Sequence, residues 1–265
     1  MSLQAIFSLR QLRRQTLMDT DIVQFIAKLA RMKTEYDIIP HVDSGKHDLI
    51  QEVDESFGIC SCVASFCWKL SYAKLMFEGN VAIDVSYFLL LFAPACLVVW
   101  NRRKSLVESG SLSPLEELAF TGLILRRHPR VTEPLQQRQW IMQYLISSET
   151  FDLSTELDFC ELLADKHRCN YAVWDYRRWL FKECLARSPT LMNMELSRQL
   201  SWLSMHPTDA SGWSYRAHLL EVWRGKRNAE EEQDKAAFLE QLWQEAKNVD
   251  SLLRAVPENE PVWVY

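Results

Sequence analysis

A four-residue pattern, Trp-x-x-Arg, recurs along this chain and constrains its fold more than any other feature. Complete copies begin at Trp100, Trp174 and Trp213. A degenerate copy carries Leu135 in the Trp slot, and a fifth copy begins at Trp263. Successive slots are 35, 39, 39 and 50 residues apart. Periods of this length are typical of solenoids built from pairs of helices.

A further helical segment precedes each later slot. Residues 113–128 begin with Ser113, Pro114 and Glu116, which predict a capping box with proline in the first turn. Three more segments carry apolar residues at helical spacing: 153–168, 191–206 and 231–256. The sequence therefore predicts an all-α fold. We expect a right-handed α–α superhelix, a solenoid of antiparallel hairpins in which the second helix of each hairpin carries the motif.

The motif itself is expected to be structural. Residues i and i+3 share one face of a helix, so each Trp would fill the wedge between hairpins, while its Arg packs along the indole and reaches a carboxylate or a loop carbonyl. Burial of one indole stabilises such a fold by at most about 4–6 kcal/mol. Asn170 and Asp209 are expected to cap two of the second helices. The residues assigned to the motif are Trp100, Arg103, Arg138, Trp174, Arg177, Trp213, Arg216 and Trp263.

The repeats divide the chain into two predicted parts. Residues 1–36 are expected to form an N-terminal helical extension, partly disordered, and residues 37–265 the repeat domain with a truncated fifth repeat. The basic start, with three arginines within residues 10–14, fits either a targeting helix or an ordinary basic N-terminus. The apolar run 81–100 contains Asp84 and is divided by Pro94 into pieces too short for a hydrocarbon layer of ~30 Å. We therefore predict two buried helices that meet at a turn, and no membrane span.

Composition and motifs narrow the class of function. The formal net charge of −5 argues against a general nucleic-acid-binding surface. Cys60, Cys62 and Cys67 cluster without a second group of ligands, and they are interpreted as reduced thiols of a cytosolic helix rather than as a zinc site. The sequence carries no H-E-x-x-H motif and no glycine-rich phosphate loop. No catalytic residue and no metal ligand is therefore assigned to this chain.

Two segments resemble the repeats of protein prenyltransferase α subunits: NYAVWDYRRWL, residues 170–180, and WLSMHPTDASGWSYRAHLL, residues 202–220. Residues 83–106 resemble the first repeat of the same family, and the resemblance extends over about 37–265. It implies helical hairpins that form a crescent around a catalytic β subunit. It also implies that the β subunit supplies the zinc and most of the isoprenoid pocket, so no cofactor is expected on this chain.

The resemblance further implies substrate-edge residues in two hairpin turns. Arg130 lies five positions before the second Trp slot, where relatives carry a lysine close to the isoprenoid diphosphate. Glu133 takes the place of a glutamine near the terminal carboxylate of the acceptor, so a conventional C-terminal tetrapeptide acceptor is not expected. Asn170 and Tyr171 retain the pair that relatives carry in the third repeat. The alternative is that Arg130 only balances acids on a partner and that Tyr171 only packs the turn.

These observations lead to a functional hypothesis. The chain is expected to be a non-catalytic α-type subunit of a cytoplasmic protein prenyltransferase, a geranylgeranyltransferase, that pairs with a zinc-dependent β subunit and acts on an acceptor protein with a reactive cysteine. The alternative is a helical-repeat scaffold or adaptor with no part in lipidation. Leu135 in the second slot and the truncated fifth repeat favour that alternative.

Overall fold

The computed structural model of this protein describes residues 18–33, 35–39, 50–65, 68–69, 71, 83–146, 152–184, 189–225 and 232–265. The early arginines and Cys67 of the sequence predictions lie outside these ranges. The chain divides into two compact units, Met1–Phe151 and Asp152–Tyr265, and each unit is described by itself.

Five helices of the first unit are described from end to end, and residues 61–65 are also helical. The five helices are α1 (Met18–Met32), α2 (Ile83–Phe92), α3 (Leu97–Glu108), α4 (Pro114–Arg127) and α5 (Thr132–Leu145). Helices α2 and α3 form the first hairpin, and α4 and α5 form the second, with α3 against α5. The predicted capping box is present at the start of α4. The Ser113 hydroxyl accepts from the backbone N–H of Leu115, and the Glu116 carboxylate accepts from the backbone N–H of Ser113.

A small three-stranded sheet precedes the hairpins, and it was not predicted. Its strands are β1 (Glu35–Ile39), β2 (Ile50–Val53) and β3 (Ser56–Cys60), in the order β1-β3-β2. Strand β3 pairs parallel with β1 and antiparallel with β2. A Cβ at Gly58 would lie only 2.2 Å from Cδ1 of Ile39, so the glycine makes room on β3 for the Ile39 side chain of β1. The helix-rich composition obscured these short strands, and β1 crosses the predicted domain boundary between residues 36 and 37.

The apolar run 81–100 forms two helices, as predicted. Helix α2 ends at Phe92 and α3 begins at Leu97, with Pro94 in the turn between them. Seven consecutive residues of α2, Val85 to Leu91, are buried in the core of the first unit. Among the residues that the structure describes, no helix is both long and apolar enough to cross a membrane.

The second unit contains three further hairpins. Their helices are α6 (Leu153–Lys166), α7 (Tyr171–Cys184), α8 (Pro189–Met205), α9 (Ala210–Gly225), α10 (Glu232–Ala255) and α11 (Glu260–Val264). Helix α9 contacts α7 on one side and α11 on the other, so the second helices of these hairpins stack in chain order. The predicted class, a mostly helical repeat of antiparallel hairpins, is confirmed, with the small sheet as an addition.

The residues of the Trp slot form the core of their units, with one exception. Trp100, Trp174, Trp213 and Leu135 are all buried. Each buried indole contacts an aromatic ring of the following hairpin: Trp100 meets Phe120, and Trp174 meets Trp202 with ring centroids 4.9 Å apart. Trp263 is 65% exposed, so its predicted burial is wrong. No later hairpin covers it among the described residues, whereas a later hairpin covers each buried indole.

Candidate functional site

Every hairpin turn ends four positions before the Trp slot, at the residue that precedes the second helix. We number the turns first to fifth along the chain: 93–96, 128–131, 167–170, 206–209 and 256–259. In three of them the indole Nε1 donates to the carbonyl six positions earlier, and these bonds run from Trp100 to Pro94 (2.7 Å), from Trp213 to Pro207 (2.8 Å) and from Trp263 to Pro257 (2.8 Å). The motif therefore fixes the turn as well as the core. We call the side of each unit that carries these turns the turn edge.

The Arg of the motif joins one hairpin to the next. In the second unit, Arg177 on α7 donates to Glu195 on α8 at 2.7 and 3.0 Å. Arg216 on α9 donates to Glu245 on α10 through two bonds of 2.5 Å. In the first unit, Arg103 on α3 forms the same bidentate pair with Glu117 on α4.

The Arg side chains also reach backward, into their own hairpins. Nη1 of Arg138, Arg177 and Arg216 donates to a carbonyl twenty positions earlier, at 2.8, 3.4 and 2.7 Å respectively. The predicted carboxylate partners are therefore confirmed, but the predicted loop carbonyls are carbonyls of the first helix. Within the described ranges, only Arg177 stacks on its own motif's indole, with its guanidinium 5.7 Å from the Trp174 ring. Arg103 instead lies over Tyr87 and Phe120.

Sequence analysis missed the glutamates of these three pairs and a fourth glutamate at the equivalent position, although the signal was present. A glutamate lies eighteen positions before every later Trp slot, at Glu117, Glu156, Glu195 and Glu245. Each glutamate also accepts a hydrogen bond from the residue two positions after its own slot. The donors are Gln137 (3.0 Å), Tyr176 (2.7 Å), Tyr215 (2.8 Å) and Tyr265 (2.7 Å). An alignment of the chain against itself at this offset would have found them.

Burial makes these ion pairs sensitive to the loss of one partner. The side chains of Arg177 and Glu195 are 0% and 1% exposed. Burial lowers the pKa of Arg177, but Glu195 more than offsets this effect, and the net pKa lies above its usual value. Burial, with Glu195 beside it, raises the pKa of Tyr215 well above its usual value, so its hydroxyl remains a donor. The joint between these hairpins is thus charged, desolvated and hydrogen-bonded.

The predicted substrate-edge residues of the first unit both lie at the second turn. Arg130 is exposed in the turn itself, and Glu133 is half-buried in the first turn of α5. Oε2 of Glu133 lies 3.3 Å from the hydroxyl of Thr132. Arg130 and Glu133 therefore lie close together in the chain, where the second hairpin turn meets the start of α5.

The predicted residues of the second unit lie at the third turn. Asn170 is buried, and its carbonyl accepts from the backbone of Val173 and Trp174 at the start of α7. Tyr171 is the first residue of α7 and is 69% exposed, so it does not pack the turn. Asp209 caps α9 as predicted, because its Oδ1 accepts from the backbone N–H of Gly212 at 2.8 Å.

Successive turns of the second unit are hydrogen-bonded to each other. Oδ2 of Asp209, in the fourth turn, accepts from the backbone N–H of Cys169 at 2.7 Å. Nδ2 of Asn259, in the fifth turn, donates to the carbonyl of Pro207 at 2.7 Å. In the fourth and fifth turns, the residue that precedes the second helix therefore also holds the turn before it. A sequence pattern of capping residues does not reveal this second role.

The predicted cysteine cluster is only partly described. Cys60 ends β3, and its Sγ lies 2.9 Å from Sγ of Cys62, without a disulfide between them. Burial, together with Cys60, raises the pKa of Cys62 to about 11. Within the described ranges, no group of three or more potential ligands is placed to hold a metal ion.

Comparison with known proteins finds a family of repeats that is similar to the third hairpin. Residues 153–184 match the model of a family described as protein prenyltransferase alpha subunit repeat. The match runs from the first residue of α6 to the last residue of α7, so it coincides with the third hairpin. The third hairpin is therefore similar to one prenyltransferase α-subunit repeat, as the sequence indicated.

Two similar curated proteins are named after this repeat, and a third is a subunit of a prenyltransferase. A protein prenyltransferase alpha subunit repeat-containing protein 1 of Homo sapiens is 30% identical over 195 residues, which cover 63% of this chain and 48% of that protein. The Danio rerio protein of that name is 28% identical over 198 residues, 64% of this chain and 46% of its own length. The geranylgeranyl transferase type-2 subunit alpha of Saccharomyces cerevisiae is 30% identical over 91 residues, 32% of this chain and 28% of that subunit. The matched region thus spans less than half of each relative.

Proposed function

We propose that this chain is a non-catalytic α-type subunit of a protein geranylgeranyltransferase and that it pairs with a zinc-dependent β subunit in the cytoplasm. The observation that carries the proposal is the coincidence of the family match with the third hairpin. The similarity to a geranylgeranyl transferase subunit supports the choice of prenyl group. On the β subunit, zinc would hold the acceptor cysteine as a thiolate, and the prenyl chain would pass from the diphosphate to that sulfur.

In each unit, the turn edge is the surface that we assign to the β subunit. Leu97 and Val98, at the start of α3, are 55% and 64% exposed beside the first turn. Such apolar residues at the end of a helix are suited to burial in an interface. Arg130 and Tyr171, at the second and third turns, are also exposed and can contact a partner or its substrate.

Arg130 has a specific role in this proposal. Its guanidinium would stabilise the negative charge that develops on the diphosphate as the bond to the prenyl chain breaks, because a planar guanidinium binds two phosphate oxygens at once. Glu133, in the adjacent first turn of α5, would repel an acceptor's terminal carboxylate. The acceptor would therefore present its cysteine without a free carboxylate at this position.

Co-expression with a prenyltransferase β subunit tests the pairing. We expect the two chains to co-purify and the complex to transfer a geranylgeranyl group to an acceptor cysteine, measured by intact mass. Leu97→Asp should weaken co-purification. Leu115→Asp is a matched control, because Leu115 is 52% exposed but lies at the start of α4, at the opposite end of the hairpins. Failure of the chains to co-purify would reject the proposal.

A second experiment isolates the role of Arg130. Arg130→Ala should lower kcat/KM for prenyl transfer by about tenfold, the equivalent of one charged contact of about 1.4 kcal/mol, and leave the complex intact. Arg224→Ala removes an exposed charge from the last turn of α9 and should leave kcat/KM unchanged. If Arg130→Ala has the activity of the parent, the residue has only a structural or electrostatic role.

A scaffold or adaptor without a role in lipidation is the second candidate function. Trp243 on α10 and Trp263 on α11 favour it, because both large apolar side chains are exposed at more than half of their surface. A pull-down without bias toward prenyltransferase subunits separates the two functions. Partners that exclude every β subunit would support the scaffold.

A further inference from the structure

The peptide bond between Arg168 and Cys169, in the third turn, is reversed relative to its counterpart in the fourth turn. In the fourth turn, the carbonyl of Pro207 accepts from Trp213 and from Asn259 of the fifth turn. In the third turn, the N–H of Cys169 donates to Asp209 of the fourth turn. The N–H and C=O of a trans peptide point in opposite directions. The carbonyl of Arg168 must therefore point away from Asp209.

Two further observations agree with this reversal and indicate that it costs free energy. Nε1 of Trp174 is buried and has no hydrogen-bond partner in the described part of the chain, whereas Trp100, Trp213 and Trp263 each donate to the carbonyl six positions earlier. Cys169 has a φ of 56°, in the left-handed region that residues with a side chain rarely adopt. A buried donor is thus left without its acceptor, and the backbone beside it is strained.

The difference between the two turns follows from the chemistry of the residue that holds each one. An asparagine amide can donate, so Asn259 binds the Pro207 carbonyl and keeps that carbonyl near the indole of Trp213. A carboxylate only accepts, so Asp209 requires an N–H from the third turn, in addition to the Gly212 N–H that it caps. We propose that Asp209 is a positioning residue that holds the Arg168–Cys169 peptide in its reversed orientation. In this proposal, the peptide of the third turn can adopt either of two orientations, and Asp209 selects one of them.

The reversed peptide lies two residues before Tyr171, the first residue of α7. The carbonyl of Cys169 accepts from the backbone N–H of Tyr171 at 2.9 Å, and Tyr171 is the exposed residue of this turn. The fifth turn makes the equivalent bond, from the N–H of Glu260 to the carbonyl of Glu258 at 3.1 Å, so this bond does not depend on the reversal. This inference goes beyond the proposed function and does not depend on which partner binds the turn edge.

Residue 168 offers a competing cause, and it can be separated from Asp209. The first, second, fourth and fifth turns carry proline at this position. The third turn carries Arg168, whose Nη2 also donates to the carbonyl of Thr208 at 3.2 Å. If Asp209 determines the orientation, Arg168→Pro leaves the peptide reversed. If the missing proline determines it, Arg168→Pro alone returns the peptide to the orientation of the other turns.

The indole proton of Trp174 reports the orientation directly. In a ¹⁵N-tryptophan-labelled chain, Trp174→Phe assigns its indole resonance among the ten tryptophans. Asp209→Asn keeps a good helix cap and should move this proton downfield and slow its exchange, because the Arg168 carbonyl becomes its acceptor. Arg168→Pro should leave the resonance in its parent position. An unchanged resonance in Asp209→Asn, or a downfield shift in Arg168→Pro, would overturn the proposal.

A thermodynamic cycle gives a second, independent test. Cys169→Gly should raise the thermal midpoint in the parent chain, because glycine adopts the left-handed conformation without strain. The same substitution should bring no gain in the Asp209→Asn background, where residue 169 leaves that conformation. An equal gain in both backgrounds would overturn the proposal. The reciprocal variant Asn259→Asp should make Thr208→Gly stabilising, although it is not stabilising in the parent.

Discussion

The guanidinium of Arg177 and the carboxylate of Glu195 form a buried bidentate pair, with hydrogen bonds of 2.7 and 3.0 Å between α7 and α8. Tyr215 donates to the same carboxylate from α9. One glutamate therefore connects three helices of two consecutive hairpins. The equivalent pairs at Glu117 and Glu245 repeat this arrangement, which makes the joint between hairpins a property of the repeat.

Glu195→Leu should destabilise the second unit by about 3 kcal/mol, because it leaves a buried guanidinium without its main partner. Urea denaturation followed by circular dichroism measures this loss. The double variant Arg177→Met/Glu195→Leu should recover part of the loss, since no buried charge remains. Asp250→Ala breaks the exposed pair with Arg254 and should change the free energy of unfolding by less than about 0.5 kcal/mol. A loss from Glu195→Leu as small as that control would contradict the role of the joint.

Trp213→Ala should cost about 3–5 kcal/mol, because it opens a large cavity against Tyr265 and removes the hydrogen bond to Pro207. Trp263→Ala should cost less than about 1 kcal/mol, because the same slot is largely exposed in the fifth hairpin. Both variants carry the same change in sequence, so urea midpoints compare the two environments directly. Equal losses would show that the fifth slot is covered.

The contrast between these two tryptophans shows what the sequence could predict. The period of the motif was sufficient for the hairpins, because the same pair of side chains recurs at the same place in each one. It was not sufficient for burial, since burial depends on a following hairpin and not on the residue itself. Trp213 and Trp263 make the same indole hydrogen bond, yet only Trp213 lies in a core.

The candidate site was predictable to a smaller extent. Arg130 and Tyr171 were expected at an edge, and both are exposed at turns. The reversed peptide of the third turn was not predictable from the motif, because Trp174 has the same identity as the other slots. The orientation follows from Asp209, forty residues from Cys169, and such a contact appears only after the chain has folded. The sheet was missed because its strands are four or five residues long.

Gly212→Ala should destabilise the second unit by about 1–2 kcal/mol, although alanine is normally the better helix former by about 1 kcal/mol. A Cβ at this position would lie 3.0 Å from the Trp202 ring and 3.1 Å from Cδ2 of Leu203, and both side chains are buried. Movement of the Trp202 ring would disturb its contact with Trp174. Thermal unfolding measures the effect, and a higher midpoint for Gly212→Ala would show that the rings move easily.

His128 should make the stability of the first unit depend on pH. Burial lowers the pKa of His128, and Arg127 acts in the same direction, while a hydrogen bond with the backbone of Leu91 opposes them. Below the usual histidine pKa of about 6.5, the unfolded chain binds a proton that the folded chain does not. The contribution to stability is therefore complete above about pH 6.5 and is lost as the pH falls toward the lower, folded pKa.

Thermal midpoints between about pH 7.5 and 5 test this dependence for the parent and for His128→Gln. The variant should lose less stability than the parent on acidification, because the linked proton is absent. Burial and Arg178 also lower the pKa of His218 in the second unit, so His218→Gln serves as a matched control that removes a separate part of the same dependence. The groups facing His128 are the Tyr36 ring, Arg127 and, through its ion pair with Arg127, Asp37. Burial raises the pKa of Tyr36, so its hydroxyl does not titrate in this range. If the parent and His128→Gln lose stability equally between pH 6.5 and 5, burial of His128 beside Tyr36 and Arg127 does not hold the histidine neutral.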